Sequence, residues 1–243
     1  MTRLLNGIVA FGSVLLLAVT LIGAGFAAVA IPDAATATLS RALAGCDQPN
    51  TPFTADELAS MAIAGKRYTF DDNDREKLDA AIAEANAAAE ADGRTNALSR
   101  ESAARNLPTD AISHLDDVYR VASVAKPALV IVAVLCIAGL AHVAVRISRR
   151  ALGRTLMAGG GLVLAAFCAL GAWAAIDFDG LFAAFHSLFF QAGTWTFPYD
   201  SLLITLYPTA FWMGMGGIWL AVTCGLSILA VLIGFTLGHK QHD

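Results

Sequence analysis

Apolar residues are concentrated in four long stretches. They run from about Leu4 to Ile31, Pro127 to Val145, Leu156 to Ile176 and Pro208 to Leu237. A membrane-crossing helix needs roughly 20 apolar residues, because the hydrocarbon core is about 30 Å thick and each helical residue rises about 1.5 Å. All four stretches meet that length. No lipid-exposed loop can cross the bilayer with unpaired backbone groups, so each stretch is expected to be a helix. The pattern therefore predicts an all-α membrane protein with four transmembrane helices. Its spans are 1–31, 127–145, 156–176 and 208–237, with outer segments 32–126 and 177–207, an inner loop 146–155 and a tail 238–243. The first apolar run is too long for a signal-peptide core of about 7–15 residues, so it reads as an uncleaved anchor.

Composition agrees with this reading. Apolar residues make up 57% of the 243 and charged residues 15%, with a mean hydropathy of +0.62. Soluble chains run near 45–50% apolar and about 25% charged. The net charge of −4 is unevenly distributed. Arg146, Arg149, Arg150 and Arg154 crowd the connection between the second and third spans, and short basic loops stay in the cytoplasm. Arg3 and Lys240 then place both termini inside. Asp177, Asp179 and Asp200, with no Lys or Arg among them, place the last connection outside. Cys136, Cys168 and Cys224 fall within the spans and read as small apolar residues. Cys46 stands alone, which supports no disulfide framework. No Cys/His spacing suggests zinc, and no nucleic-acid partner is expected.

The outer segments are predicted to form a small helical cap and an interfacial helix. Thr54, with Glu57 three residues on, has the form of a capping box. From Asp74 the chain is rich in alanine and charge, favouring a helix with Leu78, Ile82 and Ala85 on one face and Gly93 at its end. Large apolar residues are too sparse there for a strong independent core. After Pro108, Thr109 or Asp110 is placed to cap a helix leading into the second span. Phe178, Leu181, Phe182, Phe185 and Phe189 line one face of a short helix suited to the headgroup plane. Trp195, Phe197, Tyr199, Tyr207, Phe211 and Trp212 add an interfacial aromatic set. Asp200 is expected to cap a further turn, and Pro208 to open the fourth span. Gly159–Gly161 and Gly214–Gly217 suit close helix packing.

Two histidines, His114 and His186, fall on the same outward surface. His114 shares a helical face with Asp117, which can hold its tautomer. Each histidine alone reads as a loop anchor at the interface. Together, beside a carboxylate, they read as an acid/base pair. His142 reads as a packing residue with one hydrogen bond, and His239 and His242 as solvated tail residues.

Two blocks of sequence carry a family resemblance. The first is His114-Leu-Asp-Asp117-Val118 ahead of a span. The second is Phe185-His186-Ser-Leu-Phe189-Phe190, with Trp195-Thr-Phe197-Pro-Tyr-Asp200, Pro208 and Trp212. They resemble the lipoprotein intramolecular transacylases (Lit) of bacterial membranes, whose four-span layout and large first outer loop also agree. The alanine-rich middle of the outer loop shows no family pattern. The resemblance implies transfer of an acyl chain from the diacylglyceryl group of a lipoprotein to the α-amine of its N-terminal cysteine, giving the lyso form. It also implies that His114 and His186 are the two essential histidines. The partners it implies are a diacylated lipoprotein and membrane lipid, at the outer leaflet of the bacterial cell membrane.

The chemistry is consistent with two imidazoles. An α-amine with a pKa near 8 is mostly protonated at neutral pH, so its attack on an ester needs a base, and the departing alkoxide needs a proton. A tetrahedral intermediate needs oxyanion donors. Tyr199, Tyr207, Arg120, Trp195 and backbone amides are unranked candidates, with Asp117 and Asp200 as further supporting residues. No metal or soluble cofactor is required. Sequence does not divide the roles of base and acid between the histidines. Two other classes stand beside this one: a metal-dependent membrane hydrolase with His114, Asp117 and His186 as ligands, and a non-catalytic scaffold or assembly factor. A transporter is disfavoured, because the spans hold almost no ionisable groups.

Overall fold

A computed structural model describes residues 2–48, 50–95 and 102–239. The described residues are helical, with no strand among them. The helices are α1 (Thr2–Ala30), α2 (Asp33–Leu43), α3 (Ala55–Phe70), α4 (Arg75–Ala91), α5 (Ser102–Arg105), α6 (Thr109–His142), α7 (Arg149–Ile176), α8 (Phe178–Ser187), α9 (Leu202–Leu206) and α10 (Thr209–His239). Lys240 and His242 of the predicted tail lie outside the described residues.

Four helices are long and apolar enough to cross a membrane: α1, α6 with the turn that follows it, α7 and α10. Their lengths differ from the expected spans for local reasons. α6 does not stop at Pro127 but runs through it. With the π-helical turn Val143–Ile147 it reaches 39 residues, or about 58 Å, nearly twice the hydrocarbon thickness. Its first four turns, which carry His114, are therefore surplus to the span. Residues 146–155, expected as a loop, narrow to a single break at Ser148. Its hydroxyl accepts the Ala151 N–H and starts α7, so Arg149, Arg150 and Arg154 are helical.

The chain divides into two compact units. One comprises the described parts of Met1–Ala28, Ala125–Leu181 and Ile218–Asp243. Here glycines let backbones approach. A Cβ on Gly153 would meet the Gly234 carbonyl oxygen at 2.5 Å, and one on Gly234 would meet that of Gly153 at 2.5 Å. Gly160 faces the Ser227 carbonyl at 2.6 Å and Gly159 the Leu17 side chain at 2.7 Å. Gly161 has open space, so only part of the triple-glycine run serves packing. His142 makes the one contact expected of it, a 3.4 Å hydrogen bond between Nε2 and Asn6. Many large side chains, among them Leu4, Phe11, Val130 and Ile131, are exposed, as lipid-facing residues are.

The other unit comprises Val29–Val124 and Phe182–Gly217. Two of its local signals, the start of α3 and the end of α4, are carried out by the expected residues. Thr54 caps α3 in a complete capping box with Glu57. Gly93 (φ 66°) ends α4, with the Gly93 and Arg94 N–H groups donating to Glu90 and Ala89, a Schellman arrangement. The core of this unit is not built by the first outer segment alone. Leu78, Ile82, Ala85 and Ala89 of α4 pack with Phe53, Leu58, Met61 and Tyr68, with Leu107, Ala111, Ile112 and Leu115, and with Leu202, Leu203 and Leu206. The first outer segment supplies most of these residues, and the second adds the three leucines of α9.

Candidate functional site

His114 sits near the start of α6. The helix begins at Thr109, and the Pro108 carbonyl accepts the Ile112 N–H. Neither Thr109 nor Asp110 caps it as expected; the Asp110 carboxylate takes only the adjacent Ala111 N–H. Ala111, Ile112 and Leu115 anchor this turn in the core, and His114 itself is 8% exposed. His186 sits at the end of α8, within a Phe-rich segment.

The fold brings the two imidazoles together, with ring centres 6.2 Å apart and planes 28° from parallel. Phe190 packs at 5.0 Å and Phe197 at 5.6 Å from the His114 ring. Phe182 lies 4.0 Å, and Trp195 4.9 Å, from the His186 ring. Trp212 supports Phe182 at 5.9 Å, and Tyr207 supports Trp212 at 5.8 Å. Trp195 and Phe197 of the aromatic set expected at an interface thus join Phe182 and Phe190 in the wall of a histidine pair.

That wall controls the charge of the pair. Burial pulls the His114 pKa down to about 4, helped by the nearby His186 and opposed by Asp117. Burial lowers His186 too, opposed by its bond to the Phe182 carbonyl. Both rings are therefore neutral at pH 7. The His186 Nδ1 lies 2.9 Å from the Phe182 carbonyl oxygen. A carbonyl only accepts, so Nδ1 carries the proton and Nε2 keeps its lone pair. The His114 Nδ1 is buried and has no hydrogen-bond partner. An unpaired buried polar nitrogen costs about 1–3 kcal/mol, a cost that a site can offset by using the group.

The other predicted residues separate into near and distant. Asp117 does not orient His114; its carboxylate accepts a 2.7 Å bond from Arg120. The reason is reach: Arg120 is three residues on and exposed, while His114 is turned into the core. Asp200 does not cap α9; Ser201 does, accepting the Ile204 N–H. The Tyr207 hydroxyl donates to the Ala62 carbonyl at 2.7 Å, and burial pushes its pKa up. The Tyr199 hydroxyl donates to the Asp47 carbonyl at 3.2 Å. The Trp195 Nε1–H is buried without a partner. Among the described residues, no three His, Cys, Asp or Glu side chains are grouped to hold a metal ion.

One network was not anticipated. The Tyr68 hydroxyl donates to Asp116 at 2.5 Å, and the Asn73 amide donates to the same oxygen at 3.4 Å. Burial and that carboxylate push the Tyr68 phenol up to about 12. It ties α3 to the α6 turn that carries His114. The only sequence signal was the polar Asp116 beside Asp117.

Fold and site together define a multi-pass membrane protein that brings two neutral histidines together within an aromatic wall. The model of the lipoprotein intramolecular transacylase Lit family matches residues 91–212. The chain belongs to that family and is an acyltransferase of its class. The membrane-integral lipoprotein intramolecular transacylase Lit from Bacillus cereus shares the fold. It has a TM-score of 0.73 and 18% identity, over 98% of this chain and 97% of that one. Two variants of that protein, with a histidine replaced by Arg or by Ala, superpose with TM-scores of 0.68 and 0.69 at 17% identity. The Arg variant covers 99% of this chain and 95% of its own; the Ala variant covers 99% and 96%. A search among curated proteins gives no match.

Proposed function

We propose that this protein moves an acyl chain from the diacylglyceryl group of a lipoprotein to the α-amine of the same lipoprotein's N-terminal cysteine, with His114 and His186 carrying the proton transfers. The observation that carries this reading is the 6.2 Å pairing of two neutral imidazoles, His114 buried and His186 half-buried, in a chain of the transacylase family.

The amine nitrogen attacks the ester carbonyl carbon. His186 Nε2, left free by the bond that occupies Nδ1, accepts the proton that the nitrogen sheds. Collapse of the intermediate breaks the bond to the glycerol oxygen. The collected proton is returned to that oxygen, and the unpartnered His114 Nδ1 is the hydrogen-bonding group available to assist its departure. The proton count closes within one turnover, so no co-reactant is consumed. Two neighbouring imidazoles also disfavour double protonation, which keeps the pair a one-proton relay. Donor ester and acceptor amine belong to one substrate, so the walls mainly hold a folded headgroup.

The reading places the site at the outer leaflet, with both termini in the cytoplasm. The exposed Phe185, Leu188 and Phe189 support it, because a short Phe-rich helix lies well among headgroups. The unpaired inner arginines support the orientation.

Mass spectrometry of a reporter lipoprotein's N-terminal lipopeptide tests this reading. The host should otherwise leave the α-amine free. An N-acyl, S-monoacylglyceryl product that vanishes with His186→Ala is expected. An unchanged diacylglyceryl form, from a well-expressed and inserted protein, would reject the reading.

A further inference from the structure

We infer that the indole N–H of Trp195 is the donor that stabilises the tetrahedral oxyanion, a role that rests on the acyl-transfer reading above. Four side chains offered themselves for this task by sequence, and the structure eliminates three. The Tyr207 hydroxyl is spent on the Ala62 carbonyl at 2.7 Å. The Tyr199 hydroxyl donates to the Asp47 carbonyl at 3.2 Å. The Arg120 guanidinium is paired with Asp117 and its side chain is 74% exposed. Of these four, only Trp195 has a donor, its Nε1–H, that is both buried and unpartnered.

Its position suits the reaction. The indole ring is 4.9 Å from the His186 ring and tilted by 34°, and Phe182 packs against it at 6.4 Å. An indole N–H is a donor only. It cannot compete with His186 for the proton of the attacking amine, and it can only serve a group that accepts. A buried, unpaired N–H is rare in native structures and calls for an explanation of this kind.

The step balances as follows. The amine lone pair forms the new N–C bond, and the carbonyl π pair moves onto oxygen. That oxygen, now negative, accepts the Trp195 N–H. The pair then returns, the C–O bond to glycerol breaks, and the glycerol oxygen takes the proton shed by nitrogen. The charge on the carbonyl oxygen exists only in the intermediate and its flanking transition states, so the indole acts on kcat rather than on substrate binding.

Trp195→Phe keeps an aromatic ring beside His186 and deletes the N–H. Initial rates are measured on the purified full chain in lipid vesicles, with a diacylated lipopeptide as probe and mass spectrometry as readout. The expected result is a kcat lower by about 10²–10³-fold, a KM within about threefold, and an unaltered shape of the pH–rate profile. A kcat within about threefold of the unmodified protein would overturn the proposal, as would a loss expressed only in KM. Should Trp195→Phe fail to fold, benzothienylalanine at position 195 replaces the N–H by sulfur in the same bicyclic shape, with the same expected and overturning results. His186→Ala is assayed alongside. Its loss together with a normal Trp195→Phe rejects the indole's role alone, whereas normal turnover by His186→Ala rejects the acyl-transfer reading itself.

Discussion

The two units of this protein are stabilised by different means. In the unit holding most of α1, α6, α7 and α10, outward side chains are as apolar as inward ones, and the tightest contacts are backbone against backbone at Gly153 and Gly234. In the unit holding Val29–Val124 and Phe182–Gly217, a core of large side chains is enclosed by ion pairs. Ion pairs such as Lys66–Asp33, Arg94–Glu57 and Arg105–Glu90 fall in that second unit. The difference follows from the solvent. Lipid tails are as apolar as Leu, so burying Leu against another helix yields little, and close small-residue contact is what remains. Where water is the solvent, burial itself drives folding. The histidine pair belongs to that second unit, where the packed turn holding Ala111, Ile112 and Leu115 fixes His114.

The largest expected effect lies in that pair. Replacing either histidine, His114→Ala or His186→Ala, should lower turnover by at least about 10³-fold while leaving membrane insertion intact, as measured by lipopeptide mass spectrometry and membrane fractionation. Normal activity in either variant would remove the pair from the chemistry.

Next come the two packing regimes, compared by thermal unfolding in detergent. Leu78→Ala empties a fully buried core position and should cost about 2–5 kcal/mol. Gly153→Ala should cost about 1–3 kcal/mol, since the obstacle is the Gly234 backbone and cannot rotate away. Ile131→Ala, on an exposed face of α6, should change little. An Ile131→Ala loss equal to that of Leu78→Ala would break the comparison.

A pH series sharpens it further. Both histidine pKa values are lowered, that of His114 to about 4 and that of His186 below its usual 6.5, so the neutral, proton-accepting form prevails above pH 6.5. Turnover between pH 8 and pH 6.5 should therefore follow deprotonation of the substrate amine, falling roughly tenfold per unit below its pKa of about 8. A separate bend within that range would contradict the lowered values. Stability has the same sign. A His114 pKa lowered to about 4 means that the unfolded chain binds more protons between about pH 6.5 and pH 4, so stability is full above that window and declines as pH falls through it.

The smallest expected effect is local. Thr54→Ala removes one cap of α3 and should cost about 1 kcal/mol, with turnover unchanged at temperatures well below unfolding.

Much of the architecture is legible without coordinates because its signals are short. Apolar runs long enough to span, the Thr54–Glu57 box and the Gly93 stop each involve a few neighbouring residues. The histidine pair was legible through its two sequence blocks and the family they resemble. The residues around it were not. Asp117 was assigned to His114 and belongs to Arg120; Asp200 was assigned a cap that Ser201 provides; Tyr68 was given no role and holds Asp116.

Sequence by itself therefore determined the four spans, the Thr54 cap and the Gly93 stop, and singled out the two histidines that the fold pairs, since helix length, such end signals and residue type are set locally. Tertiary structure alone decided which donors remain unspent. The Tyr207 hydroxyl finds its acceptor 145 positions away and that of Tyr199 finds one 152 positions away, whereas the Trp195 N–H finds none. Hydrogen-bond partners are allotted by competition among groups that only the folded chain brings together. No pattern along the chain records the outcome.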